Sequence, residues 1–310
     1  MKVFVTGASG FLGRHTLRAL VEAGHTIVGL SRDVPPAHRA IPSVTYVSGD
    51  VAQAATLTPD KLTGCEAVVH LVGIIQEAPS RGQTFEAIHV RGTENVLAAT
   101  KAAGAGGRFI YVSALGASPG AKSEYGRTKA LAEQAVRDSG LPYTILRPSI
   151  ILGPDGDFVQ QMEELIKKPP LSPIAPPFIP VPGNGKNRFQ PVWVGDLTAC
   201  IVRALSDPAT GNQTYNIGGA TPVTFDELLH AFSRHLGIKK PLLHAPMPLL
   251  FAAASVLQAI LPKPPITTDQ LLNLQTDNVC DIGPMVQAFG IAPLPFEQAL
   301  ARVYAERRKD

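Results

Sequence analysis

The sequence predicts an α/β protein: a doubly wound parallel sheet in the first half, followed by a smaller, irregular lobe. Three observations carry this. Apolar strand patterns alternate with helical patterns through roughly the first 150 residues. A glycine-rich loop joins the first strand to the first helix. After residue 152 the alternation gives way to proline-rich, uneven sequence.

The elements follow in order. Residues 2–6 are a short apolar strand, and 11–23 place Leu12, Leu17, Leu20 and Val21 near helical period before Gly24. Strands follow at 26–30 and 44–47. Residues 67–72 are almost wholly apolar, as a strand buried on both faces should be. A helix is expected over about 84–103, a strand over 108–112, a helix over 124–139 and a sixth strand over 143–151. Residues 168–182 hold seven prolines and read as an extended surface loop. Residues 194–205 return to helical pattern and 213–217 form a strand closed by Gly218 and Gly219, a unit expected to rejoin the first sheet. Residues 224–236 form an amphipathic helix, with Thr224 as N-cap and Glu227 at capping-box spacing.

Composition narrows the function classes. The 310 residues carry a formal net charge of +3, 45% apolar and 17% charged residues. Such a chain can bury a core. It shows no run of like charge and no basic stretch interleaved with aromatics, which argues against a nucleic-acid partner. The three cysteines, Cys65, Cys200 and Cys280, lie far apart with no ligand cluster around them. The expectation is therefore no metal site, no disulfide framework and a reducing, cytoplasmic setting. No secretory h-region and no apolar run of about 20 residues is present, so no transmembrane segment is expected.

The longest uncharged run, residues 249–261, is bounded by Pro248 and Pro262. Thirteen helical residues rise about 20 Å against a hydrocarbon core of about 30 Å. Three readings stay open: a buried helix of the second lobe, an exposed lid admitting an apolar substrate or touching a membrane, and an oligomer contact. The first leads, because helices apolar all round are usually core. It predicts a protein soluble without detergent, with at most weak attraction to anionic lipid through Lys239, Lys240 and Lys263.

The loop Thr6-Gly7-Ala8-Ser9-Gly10-Phe11-Leu12-Gly13 carries the first functional signal. Gly7 allows a tight turn, Gly10 lets the backbone approach a pyrophosphate, and Gly13 lets the helix sit close on the strand. The phosphate would rest on free N–H groups at the helix start. The tip of the second strand is Ser31-Arg32. A hydroxyl and a guanidinium suit a ribose 2′-phosphate, so NADP is preferred over NAD. Asp50, followed by Val51, is placed to meet the adenine amino group or to cap its own turn.

Tyr125 and Lys129 are one helical turn apart and share a helix face. A phenol is a poor base near neutrality, and a neighbouring ammonium favours its ionised form. Tyr125 is thus the candidate acid/base for a substrate hydroxyl or carbonyl, with Lys129 also reaching the nicotinamide ribose.

Together, Thr6-Gly7…Gly10…Gly13, Asp50, Val112-Ser113-Ala114, Tyr125…Lys129, Leu146-Arg147-Pro148-Ser149 and Pro191-Val192-Trp193-Val194-Gly195-Asp196 resemble the short-chain dehydrogenase/reductase superfamily in its extended and atypical branches. The resemblance covers nearly the whole chain. More narrowly, His70-Leu71-Val72-Gly73-Ile74, Ser113 to Ala117, Arg147-Pro148…Gly153-Pro154 and Thr268-Asp269-Gln270-Leu271 resemble the NAD(P)H-binding accessory subunit of respiratory complex I and its bacterial relatives. The resemblance implies a Rossmann domain over 1–152 and a mainly substrate-binding lobe over 153–310, with about 190–220 rejoining the sheet. It implies cofactor contacts from Leu71, Val72, Gly73 and Pro148 as well as from the loop, and a catalytic set of Ser113, Tyr125 and Lys129. Ser113 fits the first of two consecutive serines in the family pattern, and Ala114 fills the second; Ser113 is either the donor to the developing oxyanion or a structural serine. Asn95 fits the family's helix asparagine or a loop tether.

Weaker candidates are His70 (packing or catalysis), Asp196 (cap or base), and Lys186 with Arg188 (solvated loop or anion contact). Three functions remain open. The first is an NADP(H)-dependent oxidoreductase acting at a hydroxyl or carbonyl carbon. The others are a catalytically silent NADPH-binding structural or assembly protein and a nucleotide-sugar epimerase or dehydratase. Partners are expected to be a small molecule, with peripheral membrane contact and oligomerisation both possible on this sequence.

Overall fold

A computed structural model describes residues 1–36, 40–168, 176–261 and 264–308. The chain divides into two compact units, one of residues 1–148, 194–217 and 283–292 and the other of residues 149–193, 218–282 and 293–310.

In the first unit the apolar runs align as one parallel sheet of seven strands. β1 is Lys2–Thr6, β2 Thr26–Ser31, β3 Val44–Ser48, β4 Ala67–His70, β5 Arg108–Val112 and β6 Tyr143–Pro148; Gln213–Ile217 supplies the seventh. The order across the sheet is Gln213–Ile217, β6, β5, β4, β1, β2, β3. The chain starts in the middle, runs outward through β2 and β3, then crosses back to β4 on the other side of β1. That reversal opens a crevice beyond the carboxyl ends of β1 and β4, where open α/β sheets bind ligands. Central strands β4 and β5 are wholly buried and the edge strand β3 is not. Phe4, Val68, Phe109, Tyr111 and Ile145 anchor the core on these strands.

Helices α1 (Phe11–Glu22), α2 (Gly92–Ala102) and α3 (Glu124–Asp138) follow β1, β4 and β5. The two expected strand ends move inward. β4 stops at His70 rather than residue 72, because Leu71 N–H turns to Thr6 Oγ1 (3.3 Å) and Ile74 N–H to His89 Nε2 (3.1 Å). β6 stops at Pro148 rather than 151, and Ile151–Leu152 instead pairs with Val192–Trp193 inside the second unit. The helix expected over 84–103 is two pieces: a wide π-type turn, Glu86–Arg91, runs directly into α2.

In the second unit, Phe225–Leu236 starts with the full capping box between Thr224 and Glu227. The proline-rich stretch is not loop throughout. Residues 169–175 lie outside the described residues, as does Lys263. Ile179–Pro182, however, is a strand pairing in parallel with Leu242–Ala245. Ile179 N–H and Gly183 N–H bond across that pair, so the intervening prolines at 180 and 182 fall where alternate N–H groups face away.

The leading expectation for residues 246–265 is corrected. The segment is helical over Met247–Ile260, but only Ala254 in it is buried. Hydropathy reports that a helix is apolar all round; it does not say whether anything covers it. Among the described residues, no helix is long and apolar enough to cross a membrane.

Candidate functional site

The site is assembled wholly within the first unit, at the carboxyl ends of β1, β4 and β5. Gly7 has φ +73°, which lets the loop turn sharply after β1, and Gly10 N–H closes the turn on Gly7 O at 3.0 Å. A Cβ on Gly13 would stand 2.1 Å from Gly7 O and 2.9 Å from Ala8, so only glycine lets α1 start here. No side chain caps α1 at Gly10, and its first turn holds no acidic residue. The first N–H groups, of Phe11, Leu12 and Gly13, with Ser9 just before them, therefore form an anion cradle backed by the helix dipole.

A chain of polar groups runs beneath this loop. Thr93 Oγ1 donates to His89 O (2.6 Å), so at 3.1 Å it accepts from His70 Nε2. His70 Nδ1 is then left to accept from Thr6 Oγ1 at 2.6 Å. His70 is fully buried, lies flat against Tyr111, and is a packing residue; burial, reinforced by Lys129, pushes its pKa down to about 3. His89 Nδ1 lies 2.9 Å from Thr128 Oγ1, and its Nε2 faces both Ile74 N–H and Ile74 O, each at 3.1 Å, so both ring nitrogens are engaged. Burial and Lys129 hold His89 down at about 3 as well.

Lys129 is the charged group of the site. It is buried, and its Nζ donates to Tyr111 Oη (3.1 Å) and Val112 O (2.9 Å). An ammonium has three donors, so one remains. Burial lowers its pKa to about 7, against the pull of Glu133 one turn along α3. A Cβ on Gly73 would lie 3.5 Å from Lys129 Nζ and 3.7 Å from His89 Nε2. The absent side chain thus leaves a recess beside the ammonium, flanked by Leu71 and Val72. Tyr125 sits at the same place, its ring edge-on to His89 (5.4 Å) and Phe85 (5.8 Å). Ser123 caps α3 through Gly126 N–H and fixes where the Tyr125–Lys129 face begins.

Other expected residues take structural partners. Ser113 Oγ donates to Glu133 Oε1. Asn95 Nδ2 tethers the loop after β3 through Val51 O at 2.8 Å. Asp50 accepts from Ala52 N–H at 3.0 Å, capping its own turn. Ser31 sits at the end of β2 with its hydroxyl on Asp33 O (2.8 Å), and Arg32 is exposed beside it. Pro148 closes β6, its carbonyl accepting from Leu115 N–H at 2.8 Å. Asp196 lies in the first turn of Val194–Ser206. In the second unit Arg188 forms a two-pronged ion pair with Asp277, and Lys186 is exposed.

Three participants carried no sequence signal strong enough to be singled out. His89 and Tyr111 looked like ordinary helix and strand residues. Glu133 looked like a solvated helix charge, yet it is fully buried, accepting from Ser113, Arg137 and Arg147. The spacing of Lys129 and Glu133, i and i+4 on a face already assigned to the site, could have flagged it. Among the described residues no group of metal-ligating side chains converges.

A phosphate cradle at a strand–helix turn, a strand-order reversal and a Tyr–Lys face bordering one recess define a dinucleotide-binding α/β protein. The family model for the NAD dependent epimerase/dehydratase family matches residues 3–218, and the chain belongs to that family. It is 30% identical over 260 residues to ceramide reductase of Caulobacter vibrioides, covering 83% of this chain and 77% of that protein. It is 29% identical over 286 residues to the mitochondrial NADH dehydrogenase [ubiquinone] 1 alpha subcomplex subunit 9 of Arabidopsis thaliana, covering 88% and 68%. The fold matches that of MoeE5 solved with UDP-glucose and NAD, at a TM-score of 0.73 and 21% identity over 100% of this chain and 99% of that one.

Proposed function

We propose that this chain is an NADP(H)-dependent oxidoreductase that interconverts a hydroxyl and a carbonyl, with Tyr125 as acid/base. The observation that carries the reading is the placement of Lys129: buried, brought down by burial to a pKa of about 7, two donors fixed and the third beside the recess at Gly73. A bare structural lysine has no need of that position, since burying its charge is costly.

In this reading the loop from Gly7 to Gly13, with Ser9, Phe11 and Leu12, holds the pyrophosphate. Asp50 and Val51 border the adenine, Ser31 and Arg32 the ribose 2′-phosphate, and Leu71, Val72, Gly73 and Pro148 the nicotinamide end. The bound nucleotide supplies or accepts the hydride. Lys129 holds the nicotinamide ribose with its remaining donor and favours the ionised form of Tyr125. Tyr125 gives its proton to the substrate oxygen in reduction and takes it back in oxidation. His89, neutral and hydrogen-bonded at both nitrogens, holds the Tyr125 ring edge without competing for the proton. The name of the Caulobacter relative supports carbonyl reduction. The cofactor falls to residues 1–152 with about 190–220, the substrate to the remainder, and the three unbridged thiols support a cytoplasmic setting.

One observation favours a second reading, a silent NADPH-binding structural or assembly protein. Ser113 spends its hydroxyl proton on Glu133, which leaves Tyr125 without that serine as a co-donor. The name of the Arabidopsis relative points the same way. A nucleotide-sugar epimerase is less supported, since Arg188, one of the two loop cations that hinted at an anion contact, is committed to Asp277.

NADPH oxidation against a panel of aldehydes, ketones, quinones, sterol ketones and sugar nucleotides separates the readings. Turnover of a carbonyl that disappears in Tyr125→Phe, with NADPH affinity retained, is expected. NADPH binding without turnover of any of these compounds would hand the chain to the second reading.

A further inference from the structure

The helix Met247–Ile260 holds no charged residue, and its outward face is uncovered. Leu249, Ala253, Val256 and Ile260 recur at steps of four, three and four, so they form one stripe. Leu249, Val256 and Ile260 are 64%, 58% and 67% exposed, far from the norm for a folded apolar helix. Met247, Leu250, Phe251, Ala254 and Leu257 face the other way and are partly or wholly covered. The helix is therefore held on one side and bare on the other.

The sequence leading into it is cationic. Residues 237–261 hold Lys239 and Lys240 with no acidic residue among them, and the one carboxylate that reaches this stretch, Asp226, lies on His244 at 3.1 Å rather than on a lysine. Lys239 is exposed and no acidic partner is seen for it among the described residues. Lys240 donates only to the carbonyls of Ile166 and Lys167, so its charge is not neutralised either. Both lysines line an open groove of about 380 Å³ with His230 and with Arg234, whose charge is met by Glu297 at 2.6 Å. From Lys240 to Met247 the chain can reach at most about 23 Å, and the strand between them, Leu242–Ala245, presents Leu243 at 51% exposure.

We propose that this face docks on an anionic lipid bilayer, with the Leu249–Ala253–Val256–Ile260 stripe in the acyl boundary and Lys239 and Lys240 on the headgroups. The proposal is independent of whether the chain turns over a substrate. Self-association is the rival occupant, and area argues against it. A helix of 14 residues presents a footprint of about 20 by 10 Å, roughly 200 Å², where a stable interface takes about 800 Å² from each partner. A bilayer requires no matching surface, and the two adjacent lysines, neither of them ion-paired among the described residues, are complementary to its negative headgroups.

Flotation of the full chain with vesicles tests this, using phosphatidylcholine alone and phosphatidylcholine with about 30% phosphatidylglycerol. Binding to the mixed vesicles is expected, stronger than to the neutral ones and only partly reversed by high salt. Val256→Glu with Ile260→Glu should lower it about tenfold or more, and Lys239→Glu should remove the preference for phosphatidylglycerol. These positions are exposed, and circular dichroism confirms that the variants fold. Failure to float with the mixed vesicles overturns the proposal, as does undiminished binding of the double variant. Equal binding to both vesicle types also overturns it, since the lysines would then have no part. A dimer in sedimentation that the double variant disperses would assign the stripe to a second copy instead.

Discussion

Ser113 Oγ donates to Glu133 Oε1 across 2.6 Å, from the end of β5 to the middle of α3. The same carboxylate accepts from Arg147 Nε at 2.7 Å and from an Arg137 guanidinium nitrogen at 2.6 Å. Ser113 is thus one donor of three to a buried charge, which is a structural duty.

Ser113→Ala is therefore expected to cost about 1.5–3 kcal/mol of stability, the worth of a hydrogen bond to a charged group, and to change turnover by less than about tenfold. Loss of a true oxyanion donor costs on the order of a hundredfold or more. A steady-state assay beside a chemical-denaturation curve distinguishes the two.

Glu133→Gln should destabilise by roughly 1–3 kcal/mol, less than for a fully buried pair, because both arginines are partly exposed. Burial pushes the Glu133 carboxyl up, but hydrogen bonds from Arg147 and Ser113 and the arginine charges outweigh it, so the net pKa is lowered. A depressed carboxylate contributes stability above its unfolded pKa and loses it as pH falls through the folded one. The gap between wild type and Glu133→Gln should accordingly be constant near neutrality and close in acid, below about pH 4. Melting curves across pH check it.

Lys129 works with the opposite sign. Its pKa falls from 10.5 to about 7 on folding, first through burial. The unfolded chain then binds more protons between those values, so this cost to stability is complete below about pH 7 and fades toward pH 10.5. Lys129→Met should raise the melting temperature at pH 6–7, by on the order of 1–3 kcal/mol in stability, with the gain vanishing near pH 10. It should also weaken NADPH binding. A variant less stable than wild type at pH 6 would show that Lys129 is a net structural support.

Arg32→Ala should narrow the preference for NADPH over NADH by about 1–3 kcal/mol, the scale of a charged hydrogen bond. Titration calorimetry with both nucleotides reads it directly. Equal affinities for the unmutated protein would defeat the assignment of Ser31 and Arg32 to the 2′-phosphate.

Gly13→Ala tests the loop. Its Cβ would meet backbone atoms of Gly7 and Ala8, which cannot swing aside as a side-chain tip can. A loss of about 1–3 kcal/mol, or more, is expected, with the cradle displaced and nucleotide binding lost together. Binding unchanged in titration would show that the loop does not hold the phosphate.

What the sequence revealed and what it hid divide along physical lines. The strand–glycine–helix turn, the Tyr125–Lys129 face and the Thr224–Glu227 cap are local, with each signal complete within eight residues. The polar chain from Thr6 through His70 and Thr93 to His89 joins residues from four separate elements, and no spacing announces it. The π-type turn at Glu86–Arg91 arises where His89 turns in to meet Ile74 and Thr128, a tertiary demand that overrides the helical period. Residues 249–261 failed for a different reason. Their pattern fixes a helix well and its surroundings not at all, since uniform apolarity has no direction.

The seventh strand has a consequence for synthesis. Gln213–Ile217 is the hydrogen-bonding neighbour of β6, yet it leaves the ribosome roughly 65 residues after it. At about 5–20 residues per second, β6 waits some 3–13 s with an open edge. Through that interval the nascent sheet presents Tyr143–Pro148 as an unpaired, largely apolar template, open to any other strand it meets. A chaperone that covers sheet edges, or a pause in translation between residues 148 and 213, would act on this chain more than on one whose sheet closes in order.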